Sequence, residues 1–128
     1  MIDFENKKVF KLSKMKEKHI DTLIMPSLSL ILLDNENIIN VYSSMRDYVA
    51  FTDKRIISVN VQGFTGSKKD FTSMPYSKIQ LFSIETSGTF DMDSELELCF
   101  SGVGTVKFEF SQDKEITEIA KTIAKYVL

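Results

Sequence analysis

Asp91 and Asp93 stand two residues apart, with Glu95 two further on. Carboxylate oxygens at that spacing are what a hard cation such as calcium requires. The same spacing is common in solvated loops, and Glu95 fits better as the start of an exposed strand face, so no metal is expected. Cys99 is the only cysteine, and no basic neighbour in sequence favours its thiolate. His19 is the only histidine and reads as a helix-surface residue rather than a ligand. No G-x-S-x-G elbow, P-loop or dinucleotide fingerprint occurs. The residues therefore predict no catalytic site, no cofactor and no enzyme.

Lysine offers the remaining chemistry. Lys7, Lys8, Lys11, Lys14, Lys16 and Lys18 face only Asp3, Glu5 and Glu17 in the first twenty residues, a surplus of about three positive charges. A basic amphipathic helix can lie on anionic lipid, each lysine contributing about 1 kcal/mol near the surface. Lys7, Lys8, Lys11 and Lys14, with Lys68 and Lys69 beside a glycine turn, are the candidate contacts with such a surface. Leu12, Met15 and Leu23 can instead dock the leader on the rest of the chain or on a neighbouring subunit, and docking is the preferred reading. Phosphoinositide recognition needs several cations converging on one loop. The turn Ser44-Met45-Arg46-Asp47 has one Arg beside one Asp, so that ligand is not expected. Across 128 residues, 16 Lys and Arg against 18 Asp and Glu give a net charge of -2, which argues against a nucleic-acid partner.

These side chains must be carried by a fold, and the hydrophobic pattern has two periods. Leu12, Met15, His19 and Leu23 recur at helical spacing, and Pro26 is expected to end or kink that helix. From residue 38 the period becomes two: Ile57, Val59 and Val61; Leu96, Leu98 and Phe100; Val106, Phe108 and Phe110. Such alternation predicts an antiparallel sheet with one buried and one solvated face. Turn residues divide it into seven strands near 38–44, 47–53, 55–62, 68–74, 79–87, 94–101 and 104–111. A final amphipathic helix, with Asp113 as its cap, places Ile116, Ile119, Ala120, Ile123 and Val127 on one face. That stripe is expected to seal an open end of a small barrel.

At 43% hydrophobic and 27% charged residues, the chain has the balance of a soluble globular protein. The apolar stretch from Ile20 to Leu33 is broken by Asp21 and Pro26 and is too short to span a bilayer. A lone thiol suits a reducing compartment, so a cytoplasmic location is expected.

Arg46-Asp47-Tyr48-Val49-Ala50-Phe51-Thr52-Asp53-Lys54-Arg55 resembles the R-D-x-x-x-F-T-[ND]-K-R signature of the small bacterial pleckstrin-homology (PH) domain proteins. Three further blocks are similar to that family in order and spacing. They are Gly63-Phe64-Thr65-Gly66, Ser73-Met74-Pro75-Tyr76, and the run from Glu85 through Gly88, Asp91 and Asp93 to Leu96. The likeness spans about 34 to 128, and Asp34-Asn35-Glu36 stands where the family often has Gly-Glu. It implies a PH-like fold, no assigned enzymatic activity, and relatives of which some assemble as symmetric oligomers.

Each signature residue also has a structural reading. Asp53-Lys54 fits a two-residue hairpin loop in which Asp tolerates positive φ. Gly63 and Gly66 suit a tight connection, and Pro75 ends a strand because it cannot donate to the ladder. Arg46, Asp47, Phe51, Thr52, Lys54, Arg55, Gly88, Asp91 and Asp93 are likewise taken as fold chemistry. The expectation is a mainly β protein: a basic helical leader over 1–34, then a PH-like domain over 35–128 with a seven-stranded sandwich or barrel capped by a helix. The expected role is a non-enzymatic protein-interaction module that forms a homo-oligomer. The alternative is a peripheral membrane adaptor using the lysine-rich leader.

Overall fold

A computed structural model describes residues 10–86, 94–111 and 116–128, without the side chains of Phe10, Lys11 and Ile116. Its strands are β1 (Phe10–Lys14), β2 (Ile38–Ser44), β3 (Asp47–Thr52), β4 (Arg55–Gln62), β5 (Lys68–Pro75), β6 (Ile79–Glu85), β7 (Ser94–Phe100) and β8 (Gly104–Phe110). Seven of them fall where the period-two segments predict. They form one sheet in the order β5-β4-β3-β2-β1-β8-β7-β6, curled into a half-barrel.

β1 is the difference. Leu12 does not begin a helix; it lies in a strand antiparallel to β2 and parallel to β8, joining the two halves of the sheet. The helical spacing from Leu12 to Met15 spans an element boundary. Leu12 enters the core inside the curl, whereas Met15 packs against a separate cluster.

The chain then winds through α1 (Glu17–His19), a π-helical stretch (Ile20–Ile24) and α2 (Met25–Leu28). Pro26 does not stop this helix. It occupies the first turn of α2, where a missing amide costs little. The buried face is Ile24 and Leu28, with Ile20 half-buried, while His19 and Leu23 are exposed. Extra residues per π turn displace the face from the one that a 3.6-residue count gives.

Two cores result. Inside the curl, Leu12, Tyr42, Phe51, Leu96, Leu98, Phe108 and Phe110 pack with Ile119 and Ile123 of α3 (Ile116–Val127). The expected lid is therefore in place, and Tyr126 of α3 stacks on Tyr76 with ring centroids 5.4 Å apart. Outside the curl, Val41, Tyr48, Ala50, Ile57 and Val59 are covered by Ile24 and Leu28. The expectation of one wet sheet face fails here: Tyr48 through Thr52 and Ile56 through Val59 are all buried. The leader helix makes this half of the molecule three layers thick, whereas β7 and β8 keep the expected alternation. Asp113, the expected cap of α3, lies outside the described residues.

Candidate functional site

Two of the signature residues, Thr52 and Arg55, meet at a buried ionic node. Thr52 ends β3 and Arg55 starts β4, so the two-residue loop Asp53-Lys54 brings them together. Thr52 Oγ1 accepts the amides of Lys54 and Arg55 at 3.0 Å each. This side-chain turn replaces the positive-φ turn expected at Asp53; among described non-glycine residues only Met45 has positive φ, at 53°. Facing them is Glu36, whose side chain is 0% exposed. Its Oε2 accepts Thr52 Oγ1 at 2.7 Å and Arg55 Nε at 2.9 Å. Its Oε1 accepts Arg55 Nη2 at 2.9 Å and the Leu33 amide at 3.2 Å.

Arg55 reaches further, donating to the Ile31 carbonyl and to Ser73 Oγ, each at 2.8 Å. Tyr76 Oη donates to the Thr52 carbonyl at 2.8 Å. One guanidinium thus ties the end of the leader helix, the β3–β4 hairpin and edge strand β5. Burial alone raises the Glu36 pKa, but hydrogen bonds from Arg55, Thr52 and Leu33, with the Arg55 charge, outweigh it and hold it at about 2. Burial pushes the Tyr76 phenol well up. The carboxylate is fixed in its charged form, its oxygens occupied by four donors. A carboxylate held this way ties together the segments that donate to it.

Sequence reasoning missed Glu36. Its one sign was that Asp34-Asn35-Glu36 stands where the family often has Gly-Glu, which sets Glu36 at the place of that glutamate.

A second clamp joins two hairpins. Arg46 donates to the carbonyls of Gly63 at 2.6 Å and Val61 at 3.2 Å, while Asp47 accepts the Val61 amide at 2.8 Å. Arg46 is thus spent on backbone rather than aimed at a phosphate. Lys69 donates to the Gly66 carbonyl at 3.0 Å, and Lys68 is exposed. Both stand on edge strand β5, four strands from Lys14 on β1. Lys7, Lys8, Gly88, Asp91 and Asp93 lie outside the described residues, as does the Lys11 side chain. Pro75 ends β5 as expected, opposite Arg55. Glu95 lies on β7, where Lys107 bridges it and Glu97 at 3.7 and 3.8 Å. Among the described residues no group of three His, Cys, Asp or Glu could hold a metal, and no helix is long and apolar enough to cross a membrane.

A cleft of about 860 Å³ opens between the leader helix and the start of β2. Met15, Ile20, Leu32 and Ile38 give it apolar walls, and Lys16 and Asp21 stand at its rim.

The fold and the signature can be set beside known proteins. The model of the bacterial PH domain family matches residues 3–127, so the likeness takes in β1 and the leader as well. The uncharacterized protein YjqA of Bacillus subtilis is 43% identical over 103 residues, 79% of this chain and 82% of its own. A DUF1696 family protein with a pleckstrin-homology domain from Shewanella loihica superposes with a TM-score of 0.76. It is 36% identical and covers 93% of this chain and 99% of its own. A pleckstrin homology domain from Shewanella amazonensis gives 0.62 at 44% identity, covering 81% and 85%. With its half-barrel, its helical lid and its R-D-x-x-x-F-T-D-K-R lock, the chain belongs to the bacterial PH domain family.

Proposed function

We propose that the protein is a non-enzymatic interaction module of the cytoplasm that assembles with copies of itself through a sheet edge. The contrast between the two edges carries this reading. β5 is guarded by Lys68, Lys69 and Asp70 and ends at Pro75, the devices that block strand addition. β6, Ile-Gln-Leu-Phe-Ser-Ile-Glu, has no charge before Glu85 and leaves Leu81 55% exposed. An uncharged edge with an exposed leucine is a template for another strand. Light scattering coupled to size exclusion tests the assembly: a mass several times 14.6 kDa is expected, and a monomer at high concentration contradicts it.

A second reading, a membrane adaptor, draws on the leader. Leu23 and Leu30 are 67% and 82% exposed on the leader helix and the turn that follows it, and Lys16 and Lys18, where that helix starts, are exposed too. Pelleting with anionic vesicles over a salt series separates the two, because lipid binding through lysines weakens with salt and an apolar subunit contact does not.

A further inference from the structure

The end of the sheet where β2 turns into β3 and β4 into β5 carries the two most exposed large apolar side chains among the described residues. Met45 is 102% exposed and Phe64 is 108% exposed. Each stands at a loop tip, Met45 between β2 and β3 and Phe64 between β4 and β5. The two loops are tied to each other. Arg46, next to Met45, donates to the carbonyls of Gly63 and Val61 at 2.6 and 3.2 Å, and Asp47 accepts the Val61 amide at 2.8 Å. The Gly66 amide closes the turn around Phe64 on the Gly63 carbonyl at 3.4 Å, and Lys69 Nζ holds the Gly66 carbonyl at 3.0 Å. Both tips are therefore fixed before any partner arrives, which lowers the ordering cost of binding one.

Neither side chain serves a core. Met45 adopts a φ of 53°, which its Cβ makes unfavourable, and full exposure gives it no packing that offsets the strain. Strain of this kind points to function at the residue that bears it. The charges around the tips are sorted by exposure. Arg46 and Lys68 are exposed, whereas Asp47 and Asp70 are half-buried and accept hydrogen bonds from the Val61 amide and Thr72 Oγ1. Gln62, Thr65 and Ser67 add exposed amide and hydroxyl groups between them. A protein partner is recognised by a contiguous apolar patch or a groove. Two single apolar side chains on separate loops, among cations and small polar groups, suit a fluid surface that closes around each one. Apolar burial combined with attraction to anionic headgroups is what holds a protein at a bilayer interface.

We propose that this end of the protein docks on an anionic lipid bilayer. Met45 and Phe64 insert among the acyl chains, Lys68 lies among the headgroups, and Arg46 holds the two tips together. The inference rests on the reading of the chain as a membrane adaptor but moves the contact from the leader to the hairpin tips. What is recognised is apolar chain beneath diffuse negative charge rather than one particular headgroup.

The test uses the full-length protein and vesicles of phosphatidylcholine with and without phosphatidylglycerol. The chain has no tryptophan, so Phe64→Trp places a reporter at one tip. Its emission should shift to the blue with the anionic vesicles and be quenched by acyl-brominated lipid. Met45→Ser combined with Phe64→Ser removes both tips from exposed positions, and should lower partitioning by about tenfold or more, since each large apolar side chain contributes on that scale. Leu23→Ser combined with Leu30→Ser should partition like the native chain. An emission that vesicles leave unchanged, or a tip variant that binds as the native chain does, overturns the proposal. So does a blue shift that appears with rising protein concentration and no lipid, which makes the tips a contact between copies. A native chain that ignores anionic vesicles sinks the whole membrane reading; binding lost only in the leader variant sinks the tips alone.

Discussion

Glu36 and Arg55 show how one buried pair can organise a signature. Removing one partner of such a pair leaves the other uncompensated, which typically costs 3–5 kcal/mol when both are buried. Arg55 keeps 20% of its side chain exposed, so Glu36→Gln should cost about 3 kcal/mol in thermal or urea unfolding at neutral pH. The pH dependence has a definite sign. The folded pKa near 2 lies below the ordinary 4.5, so the stabilisation is complete above about pH 4.5 and is lost as pH falls toward 2. The native protein should therefore weaken over that interval, and the gap between it and Glu36→Gln should close by pH 2; a gap independent of pH contradicts the lock. Met45 makes a second test. Its φ of 53° is unfavourable for a residue with a Cβ, and its side chain is fully exposed. Met45→Gly should raise stability by about 0.5–1 kcal/mol, seen as a melting temperature higher by a few degrees.

Two helices close the two faces of the sheet, and each can be removed separately. Ile119 is 1% exposed in the inner core, so Ile119→Asp buries a charge beneath the lid and should abolish the cooperative melt. Leu28 is 0% exposed in the outer core, and Leu28→Ala should cost about 2–5 kcal/mol while leaving a cooperative transition. Circular dichroism during heating distinguishes the two outcomes. The lid was legible because Ile119, Ile123 and Val127 repeat at one period on one uninterrupted helix. The seven later strands were legible because turn residues bound each segment, with the alternation kept clearly in β7 and β8. The leader was not, because three kinds of backbone follow one another within twenty residues: strand to Lys14, then α-helix, then π-helix. Leu12 and Met15 look like neighbours on a helix but serve opposite faces of the sheet. The candidate site was half legible. Thr52 and Arg55 stood out as a motif, but their partner Glu36 is distant in sequence, and its place in the Asp34-Asn35-Glu36 block was its only sign.

At the scale of the molecule, the curled sheet of the described residues does not close. Among those residues β5 and β6, joined by the short turn Tyr76–Lys78, are its two end strands, and α3 packs against β6, β7 and that turn. Charge and proline protect one edge only, which is the asymmetry a strand-adding protein needs. Leu81→Lys places a charge on the open edge at an exposed position, so it should shift the assembly toward monomer without lowering the melting temperature of the fold. Hydrogen exchange of the β6 amides, followed from micromolar to millimolar protein, tests self-pairing most directly. The outward-facing amides of Ile79–Glu85 should exchange more slowly as concentration rises, and Leu81→Lys should erase that dependence. Exchange that stays fast at every concentration, while the amides of β7 remain protected, would contradict the account.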